Sequence, residues 1–179
     1  KYENEMKHLE KIKARDLMSK IIEAQIETGQ PYMLYKDSIN NKSNQKNIGV
    51  IKSSNLCAEI VEYSDKNETS VCNLASIALP KFVKKSDKKL IYDYDALYET
   101  AKLATKNLDE VIDINFYPTD KTERSNNKHR PIGLGIQGLA DVYFKLGIAY
   151  ESEEAKEINK LIFETIYFGA LEASCELAK

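Results

Sequence analysis

Apolar residues recur every three or four positions in several stretches of the chain, which is the spacing of one helix face. The first such stretch is ARDLMSKIIEAQIETG, where Leu17, Ile21 and Ala24 fall on a common face. Gly29 suits the position just past the end of a helix. The pattern therefore predicts a helix over this stretch that ends before Gly29.

A second helix is predicted in the middle of the chain. Its apolar positions step by four, three, four and three residues: Leu97, Ala101, Ala104, Leu108 and Val111. Asp93 and Asp95 lie at its start, where the helix dipole favours negative charge.

Two more helices are predicted in the last third of the chain. The stretch LGIQGLADVYFKLG holds one, which ends at Gly147. A long final helix follows, because Ser152 suits an N-cap and acidic residues occupy the next turn.

Short apolar and β-branched runs predict strands, and polar runs rich in turn-forming residues predict loops. The predicted strands are 31–35, 48–51, 56–63 and 71–79. The last of these runs also fits a buried helix. The predicted loops are 36–47, 64–70, 84–89 and 115–131. No internal repeat or domain boundary is evident.

Composition is that of an ordinary globular protein with a sizeable core: 179 residues, 42% hydrophobic and 30% charged. A formal net charge of −2 gives no indication of nucleic acid or an acidic membrane as partner. No apolar run approaches the ~20 residues that span a bilayer.

Three cysteines and a charged N-terminus without an apolar signal core favour a reducing compartment, the cytoplasm. Because the chain opens at Lys1 and closes inside a helical pattern, we expect a piece of a longer protein.

Two of the three cysteines lie close together in SSNLCAEIVEYSDKNETSVCNLASIAL. In an extended segment Asn55, Cys57 and Glu59 would point to one face, and the apolar residues between them to the other. An amide can orient hydroxyls, a carboxylate can take a proton, and a thiol can be a nucleophile, reductant or hydrogen-atom donor. The alternative is that Cys57 and Cys72 are small core residues, as most free cysteines are. Cys175, in the final helix, is interpreted as a packing residue.

The spacing of the two cysteines leaves their relation open. If 64–70 were a tight hairpin turn, Cys72 would lie near Val61, ~13 Å along the strand from Cys57. That distance is too long for a disulfide. Either the two thiols do not cooperate, or Cys57 lies on a loop that folds back toward Cys72.

Several motifs together resemble the large, catalytic subunit of class I ribonucleoside-diphosphate reductases of the eukaryotic type. They are SSNLCAEI with VCNLASIAL, ETGQPYMLYKD, KSNQKNIG, NLDEVIDINFYP and RPIGLGIQGLADVY, and they extend over nearly the whole chain. The resemblance implies an α/β fold: a fragment of a ten-stranded α/β barrel that is helix-rich by residue count. It also implies that residues 1–179 are a single piece of the catalytic barrel domain, incomplete at both ends.

The resemblance implies a role for each candidate site residue. Cys57 matches the cysteine that becomes a transient thiyl radical and abstracts the ribose 3′ hydrogen. Glu59 matches the carboxylate that takes the 3′-hydroxyl proton, and Asn55 the amide that holds the ribose hydroxyls. Cys72 matches one of the pair that reduces the 2′ position as water leaves; its partner would lie N-terminal to this chain. Residues 55–59, including Leu56 and Ala58, match the substrate-binding segment.

The same resemblance implies cofactors and partners for the full enzyme. The substrate is a ribonucleoside diphosphate, and the radical comes from a di-iron tyrosyl small subunit. ATP and deoxynucleoside triphosphates are effectors, the large subunit is a homodimer, and thioredoxin or glutaredoxin is the reductant. The piece by itself is expected to bind no cofactor or metal and to be inactive. The competing hypotheses are a non-catalytic helical scaffold with buried structural cysteines, and a thiolate metal site.

Two other features resemble sites of a different kind. Gly133, Gly135 and Gly138 spell G-x-G-x-x-G, but the residues before them are too polar for the buried strand that a dinucleotide fingerprint needs. Close packing of a strand-to-helix turn is the better interpretation. His8 and His129 are too isolated for a metal site.

Overall fold

A computed structural model describes residues 11–87 and 89–179. The prediction that His8 is too isolated for a metal site concerns a residue outside this range. The chain divides into two compact units, one ending at Tyr63 and the other beginning at Ser64. Each unit has its own secondary structure and is described separately below.

The first unit contains helix α1 (Ala14–Thr28) and helix α2 (Lys36–Lys42). The prediction of α1 is confirmed: Gly29 is left-handed (φ 75°) and its N–H donates to the Gln25 carbonyl. The loop predicted over 36–47 is wrong for its first half, which forms α2. Asp37 in the first turn and Lys42 in the last suit the dipole of this short helix.

The three strands predicted in the first unit are wrong. Residues 31–35, 48–51 and 56–63 form turns and irregular segments. Their β-branched and aromatic residues fit a pleated sheet, but strand propensity is expressed only where a neighbouring strand supplies hydrogen bonds. Within residues 11–63 no strand is present to do so.

The second unit alternates strands and helices. Its elements in chain order are β1 (Asn73–Ala78), a 3₁₀ turn (Leu79–Phe82), β2 (Val83–Ser86), β3 (Lys89–Tyr92), α3 (Tyr94–Ile114), α4 (Asp120–His129), β4 (Ile132–Gln137), α5 (Leu139–Leu146) and α6 (Glu153–Leu177). The strand predicted over 71–79 and the turn predicted over 64–70 are confirmed.

The strands form two separate pairs. β1 and β4 are parallel, in a register that places Asn73 opposite Ile132 and Ala78 opposite Gln137. β2 and β3 form an antiparallel hairpin. The loop predicted at 84–89 is therefore wrong, although the prediction of solvent exposure is correct for Lys84, Lys85 and Lys89.

The predicted helices of the second unit are confirmed, with caps where the sequence places them. Asp93 accepts a hydrogen bond from the Ala96 N–H at the start of α3, and Ser152 accepts one from the Ala155 N–H at the start of α6. Gly147 ends α5 in the left-handed conformation, with φ 73°. The buried stripe of α3 differs from the predicted one: it continues through Thr105 and Ile112 rather than Ala104 and Val111.

The connection predicted over 115–131 is wrong, because it contains α4. Thr119 and Thr122 form a reciprocal capping box at its N-terminus. Asp120 and Glu123 lie in the first turn, and basic residues lie in the last turn. The helix has few apolar residues, so capping and charge placement define it rather than hydrophobic periodicity.

The core of the second unit lies between the parallel strands and the helices. Its buried apolar residues come from both sheets and three helices: Ile77, Leu79, Tyr92, Leu97, Ala101, Val142, Ile162 and Ile166. In the part of the chain that the structure describes, no helix is both long enough and apolar enough to cross a bilayer.

Candidate active site

Cys57 lies in a tight turn. The Ala58 N–H donates to the Asn55 carbonyl at 3.3 Å, and Ala58 has a left-handed backbone with φ 66°. The Asn55 side chain closes the turn, since its Oδ1 accepts the Ile60 N–H at 3.1 Å. The predicted extended face of Asn55, Cys57 and Glu59 is therefore wrong, because a turn does not alternate side chains as a strand does.

The turn presents its candidate side chains to solvent. Asn55, Cys57 and Glu59 are exposed, and Leu56 is 88% exposed. Ala58 is half-buried. The thiol is thus accessible rather than enclosed by hydrocarbon, and accessibility is one requirement of a reacting cysteine.

The two ends of the segment that carries this turn are held by amide side chains. At Ile51, Asn40 of α2 bonds both the backbone N–H and the carbonyl, at 2.8 and 2.9 Å. At Tyr63, the backbone N–H donates to Gln45 Oε1 at 2.8 Å. We call residues 51–63 the cysteine loop.

A cleft of about 340 Å³ lies at the beginning of the cysteine loop. Its lining includes apolar side chains such as Met33 and Ile39 together with the loop residues Ser53 and Ser54. The volume is at the lower end of the range for small-ligand sites. Asn55 follows Ser54, one of the residues that line the cleft, directly in the sequence.

Cys72 is half-buried in the second unit, one residue before β1. Its sulfur lies 3.8 Å from the Asn73 carbonyl oxygen. A Cβ on Gly133 of β4 would come within 3.4 Å of the sulfur and 2.4 Å of Leu74 Cδ2. The glycine therefore makes room beside the thiol for the side chains of β1.

The turn that precedes Cys72 is fastened to α4. Glu68 is buried and accepts hydrogen bonds from Lys128 Nζ and His129 Nε2, both at 2.6 Å. The bond from Lys128, and then that from His129, lowers the pKa of the Glu68 carboxyl. The Thr69 N–H also donates to the Lys121 carbonyl, at 3.2 Å. Sequence reasoning missed this cluster, because its members are sixty positions apart and carry no shared motif.

Arg130 connects the end of α4 to α3 just before β4. Its guanidinium donates to Asp109 Oδ1 and the Asp109 carbonyl, at 2.6 and 2.8 Å. It also bonds both carboxylate oxygens of Asp113, each at 2.9 Å. This bidentate pairing lowers the pKa of Asp113 and raises that of Arg130. The two aspartates are four positions apart on one helix, a spacing that could have indicated a shared partner.

The G-x-G-x-x-G stretch forms β4 and its turn into α5, and the close packing expected of a strand-to-helix turn is present at Gly138. Gly133 and Gly135 lie within β4 itself, whereas in a dinucleotide fingerprint the glycines follow the strand. Gly138 caps α5 with φ 80°, and a Cβ there would lie 2.7 Å from Pro80 Cγ. Gly133 and Gly138 therefore allow close packing, and Gly138 also provides the left-handed backbone.

Cys175 and, among the described residues, His129 add no further candidate. Cys175 is exposed on α6, so its interpretation as a packing residue is wrong. Within residues 11–87 and 89–179, no group of three or more histidine, cysteine, aspartate or glutamate side chains is arranged to hold a metal ion.

Comparison with known proteins gives matches along the whole chain. The family model described as "Ribonucleotide reductase, barrel domain" matches residues 1–179. A ribonucleoside-diphosphate reductase large subunit of Acanthamoeba polyphaga mimivirus is 55% identical over 179 residues, which is 100% of this chain and 20% of the relative. Ribonucleoside-diphosphate reductase large chain 2 of Saccharomyces cerevisiae is 59% identical over 170 residues, 94% of this chain and 20% of the relative.

A solved structure is also similar. The alpha subunit of the class Id ribonucleotide reductase of Actinobacillus ureae superposes with a TM-score of 0.77 at 32% identity, covering 92% of this chain and 31% of that one. The chain thus spans about a fifth of the length of the curated relatives above. In its described residues the fold is mixed and helix-rich, with two strand pairs and no closed barrel. Because the family model matches residues 1–179 and these relatives support the match, the chain belongs to the ribonucleotide reductase barrel-domain family.

Proposed function

We propose that the intact protein reduces ribonucleoside diphosphates to deoxyribonucleoside diphosphates, as the large subunit of a ribonucleotide reductase. The observation that carries the proposal is the exposed Cys57 thiol between Asn55 and Glu59, in a chain of the barrel-domain family. The names of the relatives support the same reaction. We propose also that residues 1–179 form one piece of the catalytic barrel domain.

Cys57 is proposed as the radical residue. As a thiyl radical it takes the hydrogen atom from C3′ of the ribose, which forms an S–H bond and leaves a carbon radical. To close the cycle, the same thiol returns a hydrogen atom to C3′ and the thiyl radical is regenerated. Its exposed position in a turn supports this role, because the sulfur must reach a sugar carbon.

Asn55 and Glu59 are proposed to hold and deprotonate the sugar. Because Asn55 Oδ1 already accepts the Ile60 N–H, its Nδ2 group is the donor left to hold a ribose hydroxyl. The Glu59 carboxylate takes the 3′-hydroxyl proton as the 2′ oxygen leaves as water. Leu56 and Ala58 complete the substrate-binding segment.

Cys72 is proposed as one of two thiols that supply the reducing electrons. For each sugar reduced, two thiols lose two electrons and form one disulfide, while one water is released. The second thiol belongs to a part of the protein outside this chain. Thioredoxin or glutaredoxin would return the disulfide to two thiols.

The remaining partners are proposed from family membership. Relatives named large subunits support a small subunit as partner, and we propose that it supplies the radical from a di-iron tyrosyl site. A large-subunit homodimer, ATP and deoxynucleoside triphosphate effectors, and a cytoplasmic location complete the proposal.

Substitution of single cysteines in the full-length protein tests these roles. We expect Cys57→Ser to abolish reduction of ribonucleoside diphosphates, because a hydroxyl does not replace a thiol in hydrogen-atom transfer. We expect Cys72→Ser to block multiple turnovers with a dithiol reductant. Deoxynucleotide formation is measured with purified small subunit present, and circular dichroism shows whether each variant keeps its fold.

Cys175→Ser is the matched control, since Cys175 is an exposed cysteine with no proposed role. It should retain wild-type turnover. Retained activity in Cys57→Ser would remove the radical assignment, and normal repeated turnover in Cys72→Ser would remove Cys72 from the reducing pair. Inertness of both thiols toward alkylation would favour the structural scaffold instead.

A further inference from the structure

We propose that Asn40 and Gln45 are positioning residues that clamp the two ends of the cysteine loop and thereby fix the location of Cys57. They are amide side chains from α2 and the turn after it. Neither lies in the candidate site. The activity part of this inference rests on the proposed function, whereas the structural part does not.

Asn40 uses its full side-chain amide at the first end of the loop. Its Nδ2 group donates to the Ile51 carbonyl and to the Lys36 carbonyl, both at 2.9 Å. Its Oδ1 accepts the Ile51 N–H at 2.8 Å. Ile51 itself is buried, so its two backbone groups depend on a protein partner rather than on water. Both the donor and the acceptor of the amide are therefore required here.

Gln45 holds the second end through its acceptor only. Its side-chain Oε1 accepts the Tyr63 N–H at 2.8 Å, and the backbone N–H of Gln45 donates to Ser43 Oγ at 3.0 Å. The Tyr63 ring packs on Gly49, where a Cβ would lie 2.2 Å from the ring carbon Cε2. The Gln45 side-chain oxygen and the packing of the ring on Gly49 both hold the Tyr63 end.

The loop needs such clamps because it has no strand or helix of its own. Hydrogen bonds within residues 55–60 form the turn around Cys57. They fix the shape of the turn but not its location, which depends on the loop ends. Chemistry at a sugar carbon tolerates little error in location, since a displacement of about 1 Å can reduce a rate by roughly a hundred-fold.

The different use of the two amides gives a sharp test in the full-length protein. Amide-to-carboxylate substitution at both positions keeps size and an acceptor oxygen but removes the donor. We expect Asn40→Asp to release the loop, because a carboxylate would face the Ile51 and Lys36 carbonyl oxygens. We expect Gln45→Glu to leave the loop in place. Gln45→Met, which removes the acceptor, should release it.

Two readouts follow the loop without relying on activity. Hydrogen exchange by mass spectrometry reports the backbone amides at Ile51 and Tyr63, and iodoacetamide labelling reports the Cys57 thiol. We expect exchange to rise roughly ten-fold near Ile51 in Asn40→Asp and near Tyr63 in Gln45→Met. Gln45→Glu should stay within about two-fold of wild type. Asn41→Asp, an exposed neighbour on the same helix, is the matched control and should change neither readout.

Turnover then tests the link to Cys57. Asn40→Asp and Gln45→Met should lower kcat roughly ten- to a hundred-fold, whereas Gln45→Glu should keep kcat close to that of wild type. Unchanged exchange and labelling in Asn40→Asp and Gln45→Met would overturn the clamp, as would a defect in Gln45→Glu equal to that of Gln45→Met. If Gln45→Met does not fold, the contrast between Asn40→Asp and Gln45→Glu decides. A wild-type protein that reduces no ribonucleotide would refute the proposed function. Hydrogen exchange and labelling would still test whether Asn40 and Gln45 hold the cysteine loop.

Discussion

At the scale of single residues, Gly138 shows how one missing side chain lets β4 turn into α5. Its backbone is left-handed, with φ 80°, and a Cβ would lie 2.7 and 2.8 Å from two carbons of the Pro80 ring. Gly147, which ends the same helix, has φ 73° but open space around a Cβ. A side chain added at Gly147 would therefore meet backbone strain alone, whereas one added at Gly138 would meet both backbone strain and steric overlap.

We expect Gly138→Ala to destabilise the fold by about 2–4 kcal/mol, from left-handed strain plus overlap with Pro80. Gly147→Ala carries the strain alone and should cost about 1 kcal/mol. Denaturant unfolding of both variants measures the difference. Equal losses would mean that the Pro80 ring moves aside freely and that Gly138 is required only for its backbone.

At the scale of elements, the turn before Cys72 and α4 are joined by the buried Glu68 with Lys128 and His129. The side chain of His129 is 8% exposed and that of Glu68 is 10% exposed, so both side chains are largely removed from water. Arg124 adds a bond to the Asn67 carbonyl at 3.0 Å. The carboxylate form of Glu68 thus holds the segment that leads into β1.

This pairing predicts a pH dependence of stability. The folded-state pKa of Glu68 is below its ordinary value of 4.5, so the unfolded chain binds the proton more tightly. The stabilisation is therefore fully present above pH 4.5 and is lost as the pH falls through the lower folded pKa. Glu68→Gln should melt at a lower temperature than wild type at pH 7, and the two proteins should converge in acid. A constant gap between pH 7 and pH 3 would contradict this origin.

The elements that could be predicted are those with long apolar periodicity. Helices α1, α3 and α6 follow from such patterns, and their ends follow from Gly29, Asp93 and Ser152. α4 could not be found that way, because a capping box and a buried carboxylate hold it instead of an apolar face. Thr119 as a possible N-cap, followed by Asp120 and Glu123, was a usable signal for its start.

The residues of the candidate site remain a prediction from the motif, and their observed geometry did not follow from the sequence. The motif identified Asn55, Cys57 and Glu59, whereas the turn around Cys57 depends on the left-handed backbone of Ala58 and on the Asn55 side chain. Strand propensity of the neighbouring residues favoured an extended segment. Neither the left-handed backbone of Ala58 nor the hydrogen bond of the Asn55 side chain has a sequence signature of its own.

At the scale of the whole molecule, burial is concentrated in the core of the second unit, while many large apolar residues of the chain are exposed. α1 has no buried residue, and Phe116 and Phe144 are both 85% exposed. The chain spans about a fifth of its curated relatives, so its own stability depends on the packed residues it does contain. Those residues converge on α3, the element that contacts α6, the parallel strands and the 3₁₀ turn.

Leu97 tests whether that core carries the stability of the second unit. It is 0% exposed and lies among residues from both sheets, α5 and α6, whereas Leu103 on the same helix is 60% exposed. Leu97→Ala should cost about 2–5 kcal/mol, because it removes buried methyl groups and leaves a cavity. Leu103→Ala should stay within about 0.5 kcal/mol of wild type. Hydrogen exchange along α3 and β1 in the full-length protein reports the local loss. Equal effects of the two substitutions would show that α3 is held by partners other than this core.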